Sequence, residues 1–155
     1  MNNRRREILK SGSGAALLGL LAAAGIITPE AALAEWNKDA FAAKSVAAVL
    51  RAIGATPPAE SKEIQFASPD IAENGMSVPI GISSTLPNVT LIAILVENNP
   101  STLAASFILA EGTLANIQTK IKMAQSSHVY ALVRADGRFF FARKEIRVTL
   151  GGCAA

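Results

Sequence analysis

What this chain of 155 residues lacks narrows it more than what it contains. It has a single cysteine, Cys153, so no intrachain disulfide can form. It has a single histidine, His128. A tetrahedral metal site draws most of its ligands from cysteine and histidine, and one of each beside scattered carboxylates does not make one. A serine nucleophile would have to borrow His128, yet Ser126 and Ser127 are its immediate neighbours and no Gly-x-Ser-x-Gly elbow occurs. His128 therefore reads as a turn or strand-edge residue. No glycine-rich loop cradles phosphate, because Gly112, Gly137, Gly151 and Gly152 fall in turns or in the tail. No carboxylate pair suggests acid–base work either, since Glu60 and Glu63 lie on a solvated segment. No resident cofactor is expected, and the one reactive group left is the thiol of Cys153.

The front of the chain is a targeting segment. Arg4-Arg5-Arg6-Glu7-Ile8-Leu9-Lys10 precedes an Ala/Leu/Gly-rich run from Ala15 to Ile27 and then Ala32-Leu33-Ala34. A basic start, a moderate apolar core and an A-x-A site predict a secretory signal peptide over residues 1–34, cut between Ala34 and Glu35. The run is too short and too rich in glycine for a stable membrane anchor. Arg5-Arg6 before an apolar residue, leucine and lysine resemble the twin-arginine export signal, which predicts a periplasmic protein exported already folded. The leader takes four basic and two acidic residues from totals of 15 and 12, so the remainder carries a net charge of about +1. That balance gives no reason to expect nucleic acid as a partner.

Residues 35–150 read as one domain. Asn37 to Ile53 is predicted as a helix, with Ala42, Val46, Val49, Leu50 and Ile53 on one face and Gly54 and Pro57-Pro58 as its stop. Trp36 and Phe41 are expected to pack it onto a sheet. Strands follow. Glu63 to Ala67 is short, and Met76 to Ser83 is confined to an edge or a bulge by Pro79. Val89 to Val96 is a continuous apolar run, fitting a strand covered on both faces. Ala104 to Leu109 lies beyond the Asn98-Asn99-Pro100 turn. In the next segment Ile117, Thr119, Ile121 and Met123 alternate with Gln118, Lys120 and Lys122. Val129 to Arg134 and Arg138 to Leu150 are joined by Ala135-Asp136-Gly137, and Asp-Gly between apolar runs is a strong hairpin signal. Phe139-Phe140-Phe141 faces both sides of its strand; two rings in the core and one at an edge, or one covered by a partner, both fit. Arg143-Lys144-Glu145 is expected on an exposed face, and Ile146, Val148 and Leu150 on a buried one. The fold class is all-β: an immunoglobulin-like antiparallel β-sandwich with an added N-terminal helix and a flexible C-terminal arm.

That arm is residues 151–155, Gly151-Gly152-Cys153-Ala154-Ala155. Glycine frees the backbone, and so few small side chains offer nothing to bury a sulfur with. Three extended residues carry the thiol roughly 10 Å past Leu150. Prenylation would need three residues after the cysteine, and two follow. With no base nearby in sequence, the thiol keeps the ordinary cysteine pKa of about 8.5. A mobile thiol of ordinary acidity describes a carrier better than an enzyme. The alternative is a non-catalytic immunoglobulin-like binding or structural subunit of a periplasmic complex, its thiol incidental.

Several stretches together resemble the SoxY family, the sulfur carriers of the periplasmic thiosulfate-oxidising system. They are Asn74-Gly75-Met76-Ser77-Val78-Pro79-Ile80, Glu97-Asn98-Asn99-Pro100, Ala104-Ala105-Ser106-Phe107, Lys122-Met123-Ala124-Gln125, Val129-Tyr130-Ala131, Arg134-Ala135-Asp136-Gly137 and Val148-Thr149-Leu150-Gly151-Gly152-Cys153. The resemblance implies a heterodimer with a SoxZ-like sandwich and covalent attachment of sulfur to Cys153. It further implies transient visits to three enzymes: SoxAX, which loads thiosulfate, SoxB, which removes sulfate, and, where present, the sulfane dehydrogenase SoxCD. In the family the tail usually ends Gly-Gly-Cys-Gly-Gly, whereas Ala154 and Ala155 stand here. Either the partner channels tolerate two methyl groups, or this copy serves fewer partners.

Overall fold

The computed structural model describes residues 37–55 and 57–150. The leader, its cleavage point at Ala34 and Glu35, Trp36, and the arm from Gly151 to Ala155 lie outside the described residues.

Among the described residues two short helices come first, α1 (Lys38–Ala42) and α2 (Val46–Ala52). Nine strands follow: β1 (Ala59–Glu60), β2 (Ile64–Ala67), β3 (Ile71–Asn74), β4 (Val78–Ser84), β5 (Val89–Val96), β6 (Leu103–Ile108), β7 (Asn116–Ile121), β8 (Ser127–Ala135) and β9 (Arg138–Leu150). The larger sheet has the order β1-β9-β8-β5-β6, with β3 also beside β9; the smaller is β2-β4-β7. The all-β sandwich expected from the strand pattern is thus what forms. It is not purely antiparallel, because β1 and β3 both run parallel to β9.

Alternation along the central strands builds two apolar layers. Ile92, Ile94 and Val96 of β5, and Val129, Ala131 and Val133 of β8, face Val78, Ile80 and Ile82 of β4 between the sheets. The opposite parity, Ala93 and Leu95 with Leu132, packs under Ala40 and Val49 of the helices. β5 is therefore apolar on both faces for a physical reason, since each face is covered by a different layer. The three phenylalanines divide the same way, Phe139 and Phe141 toward the helices and Phe140 toward the sandwich interior. Phe41 packs on the helix side, as expected.

Three expectations are corrected. The single helix is two, because Ala43 is extended at φ −64° and ψ 138° and Ser45 starts a new helix as its N-cap. The break shifts the phase, so Ala40 is buried and Ala42 exposed. β4 is the central strand of its sheet and not an edge. Even so, β2 ends at Ala67 opposite Gly81, and Pro79 pairs only with Lys120 of β7, so the proline lies where one ladder is already open. Lys144 is not on an exposed face. It shares the inward parity of Ala142 and Ile146, donates to the carbonyl of Ser68 at 2.6 Å and pairs with Asp70 at 2.8 Å.

The Asp-Gly hairpin forms as expected. Ala135 pairs with Arg138, and Asp136 and Gly137 have φ of 48° and 73°, the signs of a type I′ turn. Glycine meets the second of these at no steric cost.

Candidate functional site

β9 is the longest strand, and its last residues leave the sandwich at one end, so that end is where chemistry carried beyond Leu150 must be presented. The residues there are tied together by backbone and short side chains. The amide of Gly75 donates to the carbonyl of Leu150 at 2.7 Å, and the carbonyl of Gly75 accepts from Met123 at 2.7 Å. Thr149 Oγ1 donates to the carbonyl of Glu73 at 2.7 Å, and Ser126 Oγ accepts from the amide of Val148 at 2.9 Å. The strand end is thus held from both sides, by β3 and by the turn before β8.

A second tier holds the holders. Asn99 reaches across to the segment between β7 and β8, where its Nδ2 donates to the carbonyl of Lys122 at 2.7 Å and its Oδ1 accepts from the amide of Ala124 at 2.9 Å. Asn98, one position earlier, donates from Nδ2 to the carbonyl of Ser126 at 3.0 Å, while its own amide donates to Ser127 Oγ at 3.0 Å. Asparagine suits this work because its side chain presents both a donor and an acceptor at the reach of a peptide. Four stretches far apart in sequence, Asn74–Ile80, Glu97–Pro100, Lys122–Gln125 and Val148–Leu150, meet at this one end. The Arg134–Gly137 stretch does not. It forms the hairpin at the opposite end of β8 and β9.

Leu150 itself departs from its expected burial. It keeps the inward parity of Ile146 and Val148, yet the buried row stops before it and Leu150 is 70% exposed.

His128 is the second residue of β8, and its Nδ1 lies 3.3 Å from Glu97 Oε2, both side chains about half exposed. Across the ladder it faces Glu145. Sequence reading missed this pair, because only the pairing of β5 with β8 brings residue 97 beside residue 128. His128 is level with Glu145, five residues back from Leu150, or about 16 Å along the strand. Cys153 lies three residues the other way, a reach of roughly 10 Å. Among the described residues no group of three or more histidine, cysteine, aspartate or glutamate side chains is placed to hold a metal. No helix among them is long and apolar enough to cross a membrane. The expected site residues Cys153, Gly151, Gly152, Ala154 and Ala155 lie outside the described residues, so what is seen here is their mounting.

The fold and the braced exit of its last strand define a two-sheet sandwich with a helical layer on one outer face. The particular family follows from comparison. The profile described as "Sulfur oxidation protein SoxY" matches residues 49–153, and the chain belongs to that family. The chain is similar to the sulfur carrier protein SoxY from Chlorobium limicola f thiosulfatophilum, at 32% identity and a TM-score of 0.60, covering 67% of this chain and 94% of that one. It also matches a superoxide reductase (neelaredoxin) variant from Ignicoccus hospitalis at 19% identity and a TM-score of 0.50, over 58% of this chain and 82% of that one. That second likeness is one of fold alone. No curated protein sequence matches the chain.

Proposed function

We propose that this protein is a covalent carrier of sulfur intermediates in thiosulfate oxidation, with Cys153 as the attachment site on an arm of Gly151, Gly152, Ala154 and Ala155. The observation that carries this reading is that the family match extends through Cys153 in a chain 32% identical to a solved sulfur carrier. The braced end of β9 supports it, since a carrier needs a fixed point from which to present its cargo. No basic residue neighbours Cys153 in sequence, which leaves its activation to whatever it visits.

Residues 1–34 serve as a twin-arginine leader cut between Ala34 and Glu35, and the chain works in the periplasm beside a SoxZ-like subunit. SoxAX joins thiosulfate to the thiolate, forming the S–S bond of Cys153–S–S–SO3⁻ and passing two electrons to its acceptor. SoxB then adds water across the terminal S–S bond. Sulfate leaves with two protons, and a persulfide anion stays on Cys153. Where SoxCD is present it oxidises that remaining sulfur. This chain supplies attachment and presentation.

The test is an intact-mass spectrum of the protein purified from cells grown on thiosulfate, before and after reductant, beside a Cys153→Ser variant. Reductant-sensitive sulfur or thiosulfonate adducts on the wild type, absent from the variant, are the expected result. A bare thiol, or one carrying only glutathione, refutes the reading in favour of a binding subunit with an incidental cysteine.

A further inference from the structure

Asn74-Gly75 is the one place in the chain where an asparagine precedes a glycine. That dipeptide carries a chemistry of its own. Once the glycine nitrogen has lost its proton it can attack the carbon of the asparagine side-chain amide and close a five-membered ring, and glycine has no Cβ to stand in the way. The fold sets this pair at the close of β3, where Asn74 is in register with Leu150, the last residue of β9.

The electrophile is ready and the nucleophile is not. Asn74 Oδ1 accepts from the amide of Met76 at 2.8 Å. An N–H aimed at this oxygen polarises the carbonyl and stands where negative charge develops on attack, as an oxyanion-hole donor does. Asn74 is exposed, so water reaches its side chain as well. Gly75, by contrast, is buried. Its amide donates to the Leu150 carbonyl at 2.7 Å, and its own carbonyl accepts from Met123 at 2.7 Å. A proton held in the first bond is withheld from base, and a peptide plane pinned at both groups resists turning its nitrogen toward Cγ. The pin that covers the reacting nitrogen belongs to the last residue of a strand, and opening costs least at such ends.

We propose that Asn74 is a site of spontaneous deamidation and that the hydrogen bond from Gly75 to Leu150 is its gate. When the end of β9 lifts, the Gly75 nitrogen gives its proton to hydroxide, forms a bond to Asn74 Cγ and expels the side-chain nitrogen as ammonia. The resulting succinimide is opened by one water, at Cγ to give aspartate or at the backbone carbonyl to give a β-aspartyl link. Nothing is oxidised or reduced; an amide and water become a carboxylate and ammonium. The β-aspartyl product adds a carbon to the main chain at the residue paired with Leu150, so the modification, once made, loosens the brace that had prevented it. This inference uses only the described end of β9 and stands whether or not Cys153 carries sulfur.

The experiment follows two rates in mildly alkaline buffer: formation of aspartate and β-aspartate at position 74, by peptide mapping, and hydrogen exchange of the Gly75 amide, by NMR. Three samples are compared: folded wild type, wild type unfolded in urea, and Ser126→Ala/Thr149→Ala, which removes two other ties on the end of β9. Deamidation is expected to be fastest in the unfolded chain and slowest in folded wild type, with the double variant at least about tenfold above folded wild type and its Gly75 exchange raised in proportion. Asn74→Gln forms no product on this timescale, because the six-membered ring it needs closes far more slowly. Should the double variant unfold, or leave Gly75 exchange unmoved, the two rates are read in wild type across urea concentrations below the unfolding transition, where they rise together. Folded wild type that deamidates as fast as the unfolded chain overturns the gate, and so does Gly75 exchange that quickens while deamidation stays constant. An unfolded chain that forms no product at Asn74 removes the site itself.

Discussion

Lys144 shows how one side chain can close a sandwich from its edge. Its stem follows the inward row of β9 and its ammonium ends between the Ser68 carbonyl and Asp70, tying the link between β2 and β3 to the long strand. The hydrogen bond from Lys144, and then its charge, hold the Asp70 carboxyl below its ordinary value of 3.8. As pH falls, the unfolded chain therefore takes up this proton before the folded one. The stabilisation is complete above 3.8 and is lost as pH drops through the lower folded value. It is small, because Asp70 is 86% exposed and water screens the pair. Melting temperatures of wild type and Asp70→Asn should differ slightly at neutral pH and converge below that window; curves that stay parallel into strong acid would show that the pair contributes nothing. The position of Lys144 was legible in principle. Period-two alternation through Ala142 and Ile146 puts residue 144 inward, and its charge argued for solvent. A lysine satisfies both by burying its stem and keeping its tip at a polar edge.

At the level of elements, most strands were readable, down to the four residues of β2, and β1 and β3 were not. β5 and β9 were found with their limits, and β8 nearly so, because each runs eight residues or more. β1 and β3, of two and four residues, carry no period to detect and exist through their pairing with β9. The helical break is likewise tertiary. The Ala43 carbonyl accepts from Thr102, Ser101 Oγ donates to the Phe41 carbonyl at 2.8 Å, and Lys44 Nζ donates to the Pro100 carbonyl at 2.7 Å, so the groups freed by the break are met by the turn before β6. α2 then depends on its own cap. Ser45 Oγ accepts from the amide of Ala48 at 3.2 Å. Ser45→Ala should lower stability by about 1 kcal/mol, read as a shifted denaturant midpoint with an unchanged slope; no shift would mean that packing on β5 holds α2 by itself.

For the whole molecule, the decisive quantity is how far apart its parts are. The sequence showed the thiol and the lone histidine but not the strand length that separates them. His128 lies about 16 Å behind Leu150, so the thiol meets it only if the arm folds back along the strand. The pH profile of Cys153 alkylation is expected to be the same in wild type and in His128→Ala. A profile that moves on losing the imidazole would mean that the two meet after all. The brace around the exit was half visible: Asn98-Asn99-Pro100 stood out as a turn, while its convergence with Gly75 and Ser126 on β9 depends on the topology.

That brace also has a mechanical meaning. β9 is paired with β8 over nine registered positions and is flanked on its other side by β1 and β3, all lying along its axis. A pull applied at Leu150 therefore loads these ladders in shear, with the hydrogen bonds sharing the strain side by side instead of parting one after another like a zip. An axial load at this end must break those bonds together before β9 can leave the sandwich.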